Sequence, residues 1–355
     1  MLEHRISAAR RCLERLGADL LIVSNLSNVR YLCGFTGSEG LLILSKNEGW
    51  FLTDSRYTSQ AGEEVSGARV VEFSIKLDSA SEIVLGSGAK KVAFEAVHTT
   101  VATYREMGKK MPGVRFLPAD KELVSLRSVK DAAELVLLEK VAQIASTALT
   151  ETLAEVKPGA RESDVAWALE CAMRRGGAEG KSFDFIVASG ERGALPHGKA
   201  SEKLIQKGEL VTLDYGAMYR GYCSDETHTV CVGEPDPRQR EIYEVVRTAQ
   251  YKAIDAVRPG LTFKELDEVA RGYIDEKGYG KYFGHGLGHG VGLDIHEPPT
   301  VSFRSTAKVE EGMVFTIEPG IYIPGFGGVR IEDTVVVEGG KARRITRVPK
   351  ELMVL

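Results

Sequence analysis

Residues 208–219, GELVTLDYGAMY, and residues 312–323, GMVFTIEPGIYI, carry one pattern twice: a glycine, an apolar run, an acidic residue, and a turn that ends on glycine. Asp214 to Glu318 and Gly216 to Gly320 are each 104 positions apart. A second pair follows, SDETHTVCV with Asp225, Glu226 and Thr227 against RIEDTVVV with Glu332, Asp333 and Thr334, each at a separation of 107. VKPGARESDV at 156–165 likewise resembles VRPGLTFKEL at 257–266, each a helix end, a Pro-Gly break and a new helix start. Such self-similarity constrains the later part of the chain to two half-repeats packed about a pseudo-twofold axis.

The acids in these units need explaining. Asp214 follows LVTL and Glu318 follows MVFTI, β-forming runs in which a carboxylate is unexpected and, if buried unpaired, costly. DYG and EPG are also good turn sequences, so either acid alone could simply cap a turn. Matched positions in two half-repeats favour another reading, because the pseudo-twofold axis brings both pairs together. Four carboxylates converging there raise one another's pKa and cannot all ionise without cations. Two divalent ions would balance them.

FGHGLGHGVGLDIHE, residues 283–297, then places His285, His289 and His296 within twelve positions, on a chain with seven histidines in all. The glycine spacing is not that of a phosphate-cradling loop, and no clear helical pattern follows it. Imidazole is the commonest side-chain metal ligand, and His289 between two glycines could complete a coordination sphere. A water bridging two such ions is acidified from about 15.7 toward roughly 7 while the metals polarise a carbonyl, which is hydrolytic chemistry. Hard, carboxylate-rich ligation with one histidine suits manganese, cobalt, iron or zinc.

The first third alternates short apolar runs with amphipathic stretches, an α/β signature. Strands are expected at DLLIVS, GLLILS, GWFLT, ARVVEF, KKVAFEA and VRFLPA, and helices near 3–16, 55–65 and 99–111. A long helix is expected to open after it, with Ser128 as N-cap and Asp131 in its first turn. A length of 355 residues predicts two domains, each large enough for its own core, with the boundary where the alternation ends, 1–126 and 127–355. A net charge of -4 with dispersed Lys and Arg gives no sign of a nucleic-acid or membrane partner. The five cysteines include no C-x-x-C pair and are expected to be reduced. The apolar run Leu20–Val23 is too short for a signal or a membrane span, so a cytoplasmic location is the expectation.

LPHGKAS, LDYGAMYRGYCSDETHT, HGLGHGVGLDIHE and TIEPGIYIPGFGGVRIED, in that order, resemble the pita-bread metallopeptidases, the group of Xaa-Pro dipeptidase (prolidase) and Xaa-Pro aminopeptidase. NVRYLCGFTGSEG and TDSRYTSQA extend the likeness to the N-terminal third. The resemblance implies an α/β N-terminal domain followed by an α+β pita-bread catalytic domain of the creatinase and aminopeptidase type. It implies two divalent ions per subunit, manganese or cobalt first and zinc or iron next. Asp214 would chelate one ion, His289 and Glu318 the other, and Asp225 and Glu332 would bridge them. His197, His285 and His296 would line the substrate cleft, Glu318 would shuttle protons, and Arg330 would pair with site carboxylates. His228 stands where relatives often carry arginine, and is expected to orient the ligands rather than join them.

The activity implied is hydrolysis of the bond between an N-terminal residue and proline by a homodimer. Dipeptide cleavage is preferred over aminopeptidase action on longer peptides. Arg56 of a neighbouring N-terminal domain is a candidate to receive the proline carboxylate. A metal-free binding module on the same fold is the alternative from another class, and the intact ligand set argues against it.

Overall fold

A computed structural model of the chain describes residues 2–355, which divide into two compact units, one ending at Arg127 and one running from Ser128 to Leu355. In the first unit a six-stranded sheet runs in the order Arg69–Glu72, Gly49–Thr53, Leu41–Ser45, Leu20–Val23, Lys91–Phe94, Arg115–Pro118. The three inner pairings around Leu41–Ser45 and Leu20–Val23 include two antiparallel ones, and the flanking pairs are parallel. Leu20–Val23 and Leu41–Leu44 are buried along their whole length, which is why they read as continuous apolar runs rather than as alternating ones.

The helices expected near 3–16, 55–65 and 99–111 are Leu2–Leu16, Thr58–Glu64 and Val101–Lys110. Three more, Leu26–Cys33, Lys76–Gly86 and Asp120–Ser128, were not anticipated from the sequence. Ser128 therefore ends a helix instead of capping the next one. Asp131 is the N-cap of Ala132–Thr152, accepting from the backbone of Ala133 and Glu134 at 3.0 Å, while Glu134 returns a bond to the Asp131 N–H. That reciprocal box satisfies two orphan donors at once, which a lone Ser128 could not do.

The second unit repeats itself as the sequence requires. In the first half, helices Ala132–Thr152 and Glu162–Arg175 pack on strands Ile186–Ser189, Leu210–Tyr215 and Glu226–Cys231. In the second half, helices Pro237–Ala256 and Phe263–Glu276 pack on a sheet containing Val314–Ile317 and Asp333–Glu338. Alternation sorts the side chains. Val211, Leu213, Val230, Phe315, Ile317 and Val335 join the helices in two cores, each such burial contributing roughly 1.5–3 kcal/mol. Asp214, Asp225, Thr227, Glu318, Glu332 and Thr334 fall on the opposite face.

The two hairpins differ in register. Asp214 lies opposite Thr227, and the repeat separations would put Glu318 opposite Thr334; instead Thr334 faces Thr316. A slip of two residues leaves every side chain on its original face, so the acids still meet. The halves are joined there by Thr227 Oγ1 to Glu332 Oε2 at 2.6 Å, Thr334 Oγ1 to the Asp225 carbonyl at 2.8 Å and the Glu332 N–H to the Thr227 carbonyl at 3.2 Å. No helix among the described residues is long and apolar enough to cross a membrane.

Candidate active site

The front face of the two hairpins floors a cavity of about 570 Å³. Nine of the residues singled out above line it: His197, Asp214, Asp225, His285, His289, His296, Glu318, Arg330 and Glu332. Ligand atoms of Asp225, His289 and Glu332 lie within 4.8 Å of one another. Nε2 of His289 stands 3.4 Å from both Asp225 Oδ2 and Glu318 Oε1. Its Nδ1 is 3.1 Å from the Gly290 carbonyl, which can only accept, so the proton sits on Nδ1 and the Nε2 lone pair faces the acids.

The glycines around His289 are a packing necessity. The strand Gly288–Gly290 pairs with Glu297–Val301 and, at Gly290, with Phe315. A Cβ on Gly288 would overlap the Thr316 carbonyl, and one on Gly290 the Pro298 carbonyl. The loop is also anchored from below: buried Asp267 accepts from the Leu287 N–H at 3.1 Å and pairs with Arg271, which donates to the carbonyls of Phe283 and His285 at 2.9 and 2.7 Å. His197 lies on a segment held by Glu162, whose carboxylate takes the Ser189 N–H at 2.8 Å and the Ser201 hydroxyl at 2.6 Å.

Electrostatics single out the acids. Burial, then the charges of Glu332, Asp214 and Glu318, push Asp225 well above the usual carboxylate range. Burial, then Glu318 and Asp214, does the same to Glu332. Glu318 is also raised, chiefly by burial. Asp214 Oδ1 and Glu332 Oε1 are buried without a hydrogen-bond partner. Carboxylates that repel one another and keep bare oxygens are what a cation site requires, so the donor set fits divalent metal. His285, His289 and His296 are all lowered, each mainly by burial, and so are neutral at pH 7.

Arg330 supplies the cavity's buried cation. Its guanidinium reaches Asp214 Oδ2 at 2.5 Å, the Tyr322 hydroxyl at 2.9 Å and the Pro196 carbonyl at 3.0 Å. Tyr322 escaped the sequence reading. Its hydroxyl is also 2.8 Å from His285 Nε2, and since His285 Nδ1 faces the Gly286 carbonyl at 2.8 Å, Tyr322 donates to the imidazole and accepts from Arg330. The available signal was a glycine two residues before the tyrosine: Gly320 opens the strand Gly320–Ile323, and a Cβ there would collide with the Tyr322 hydroxyl.

His228 touches none of the proposed ligands directly. One residue beyond Thr227 on the strand, it points to the helix side and lies 3.1 Å from Glu226 Oε1 and 2.6 Å from Lys350 Nζ. Arg56, in the first unit, forks Asp54 at 3.0 and 2.7 Å and has a side chain 68% exposed.

Residues 136–339 match metallopeptidase family M24, and residues 5–129 match the Creatinase/Prolidase N-terminal domain. The chain belongs to metallopeptidase family M24. It is 46% identical to the peptidase YqhT of Bacillus subtilis over 99% of this chain and 100% of that protein. Among solved structures of M24 relatives, an Xaa-Pro dipeptidase from Bacillus anthracis superposes with a TM-score of 0.98 at 43% identity, covering 100% of both chains. An X-Pro aminopeptidase from Thermotoga maritima gives 0.91 at 38% identity over 99% of both. The α/β N-terminal domain and pita-bread catalytic domain expected from the sequence are thereby established as the fold of this M24 chain.

Proposed function

We propose that this M24 peptidase hydrolyses the bond between an N-terminal residue and proline, dipeptides being its preferred substrates. The observation that carries the reading is the front cavity, where bare carboxylate oxygens and a neutral imidazole stand beside an apolar wall. Asp214 would hold one divalent ion, His289 and Glu318 a second, and Asp225 and Glu332 both; manganese or cobalt suits that oxygen-rich set best, with iron or zinc next. Bound there, such ions acidify a water and polarise the substrate carbonyl.

The chain's own groups do the rest. Glu318, which lines the cavity 3.4 Å from His289 Nε2, would take the proton released by the attacking water. His296, whose ring centroid is 4.2 Å from that of His289, and His197 on the cavity wall face the peptide and can serve the carbonyl oxygen and the leaving nitrogen. His285 has both ring nitrogens engaged, so it acts through Tyr322, and Arg330 holds Asp214 in place. Phe183, Ile186, Pro196 and Ile295 line the cavity and offer the proline ring an apolar surface. Proline suits such a wall because its tertiary amide has no N–H to leave unsatisfied.

The resemblance also supports a homodimer, with Arg56 of a neighbouring N-terminal domain receiving the free carboxylate; a cytoplasmic location is proposed on the sequence grounds given above. The Thermotoga maritima relative keeps a second reading, aminopeptidase action on longer peptides. Comparing Ala-Pro, Ala-Pro-Ala and Ala-Pro-amide decides between them. A dipeptidase favours the first by kcat/KM; equal values on all three would show that no carboxylate is recognised and replace the dipeptidase reading with the other. Full activity after exhaustive chelation would overturn both.

A further inference from the structure

On the helix side of the hairpins lies a second charged cluster that the reaction does not use. The other member of each duplicated acidic pair is buried there, Glu226 at 0% and Asp333 at 1% exposure. Each is met by a polar side chain from its own half's helix: Ser146 donates to Glu226 at 2.8 Å and Gln250 to Asp333 at 3.1 Å. These two are themselves 104 positions apart, so the repeat built both sides of the cluster. Thr346 adds 2.6 Å to Asp333, and Arg344 reaches it at 3.2 Å from the solvent edge.

One ammonium reaches both acids. Lys350 Nζ lies 2.7 Å from Glu226 Oε1 and 3.4 Å from Asp333 Oδ1, with its side chain 2% exposed. The repeat has no counterpart for it, since it comes from the C-terminal segment. That segment is pinned along the first hairpin by Cys231 N–H to the Met353 carbonyl at 2.9 Å, Leu355 N–H to the Cys231 carbonyl at 2.8 Å and Gly233 N–H to the Leu355 carbonyl at 2.7 Å. The Tyr243 hydroxyl holds the Lys350 carbonyl at 3.2 Å.

Glu226 directly follows Asp225, and Asp333 directly follows Glu332. We propose that Lys350 is a positioning residue for the metal site: by holding Glu226 and Asp333 to one ammonium, it fixes the separation of Asp225 and Glu332 and so sets the affinity for divalent metal. The inference rests on the metal-site reading above. Without Lys350 the two buried carboxylates from opposite halves lose their shared cation and must either separate or take up a proton, and either way the tie that fixes the spacing of the two strands is gone. Their front-face acids sit on the same backbone and must move with them. Groups one step behind a metal site typically change affinity by about 10–100-fold when removed.

The test is titration of the metal-free full-length chain with Co²⁺, following visible absorption and calorimetric affinity well below the unfolding temperature. Wild type, Lys350→Met and Glu226→Gln are compared, with circular dichroism to confirm folding. Lys350→Met should bind at least one ion about 10–100-fold more weakly, with an altered Co²⁺ spectrum. A role confined to stability would lower Tm and leave affinity and spectrum unchanged, and that result overturns the proposal. Should Lys350→Met not fold, Glu226→Gln carries the test: weakening by about tenfold supports the proposal, and wild-type affinity overturns it. If wild type itself binds no divalent ion, the metal-site reading fails instead, so the two failures are distinguishable.

Discussion

The cleft face and the helix face of the same two hairpins receive neighbouring acids, Asp225 and Glu332 in front, Glu226 and Asp333 behind, yet the two faces treat them differently. Behind, burial works against ionisation of Glu226, but Lys350 and His228 together hold its carboxyl down at about 2. Asp333 is still pushed up by burial, though Gln250, Thr346 and Lys350 all reach it. In front, Arg330 faces four carboxylates, and Asp214 Oδ1 and Glu332 Oε1 have no partner at all. A buried charge cluster closed by protein groups is a structural device, whereas one left short of cations and open to a cavity is a binding site. One residue of strand alternation separates the two.

The sharpest way to break this contrast is to neutralise a front acid. Asp225→Asn or Glu332→Gln should strip or disorder one ion and cost on the order of 10³-fold in turnover, checked by metal analysis beside kinetics. Full metal content with full activity in either variant would remove the distinction between the faces.

Next in size, His296→Ala and His197→Ala should keep near-normal metal content and lose ~10²-fold in turnover, while His289→Ala loses metal. Metal loss from His296→Ala as severe as that from His289→Ala would move His296 into the ligand set. Tyr322→Phe removes only the link between Arg330 and His285, and should cost about tenfold in kcat with metal content retained.

His228 behind and the carboxyls in front should answer pH in opposite directions. His228 is lowered to about 4, chiefly by burial, so the stability it contributes is present above about 6.5 and lost as pH falls toward 4. That slope is on the order of 1 kcal/mol per pH unit. The raised front carboxyls of the metal-free chain do the reverse, stabilising it at acid pH and losing that contribution as pH rises. Denaturant midpoints of chelated and metal-loaded protein should therefore diverge as pH increases from 5 to 8. A constant gap would show that the front acids are not held protonated without metal.

The smallest effect belongs to Tyr215, fully buried with its hydroxyl unpartnered. Tyr215→Phe should change unfolding free energy by less than about 1 kcal/mol, measured by urea denaturation.

Much of this molecule can be read before it folds. The separations of 104 and 107 expose the half-repeats, and the cleft acids and histidines stand out because carboxylates interrupt β-forming runs and imidazoles crowd among glycines. Those are properties of residue order, and short-range sterics carry them directly into strands, turns and faces. The helix Leu26–Cys33 is less legible: it is eight residues long, and it is fixed by the Asn25 side chain on the N–H groups of Ser27 and Asn28 and by Gly34 in the left-handed region at φ 90°. Tyr322, His228 and Lys350 lie beyond such reading for a different reason. What each does depends on a group distant in sequence, His285 for Tyr322, Lys350 for His228 and Glu226 for Lys350. Periodicity assigns a side chain to a face, but only the packed chain decides which charge meets it there, because that energy depends on distance and burial rather than on order along the backbone.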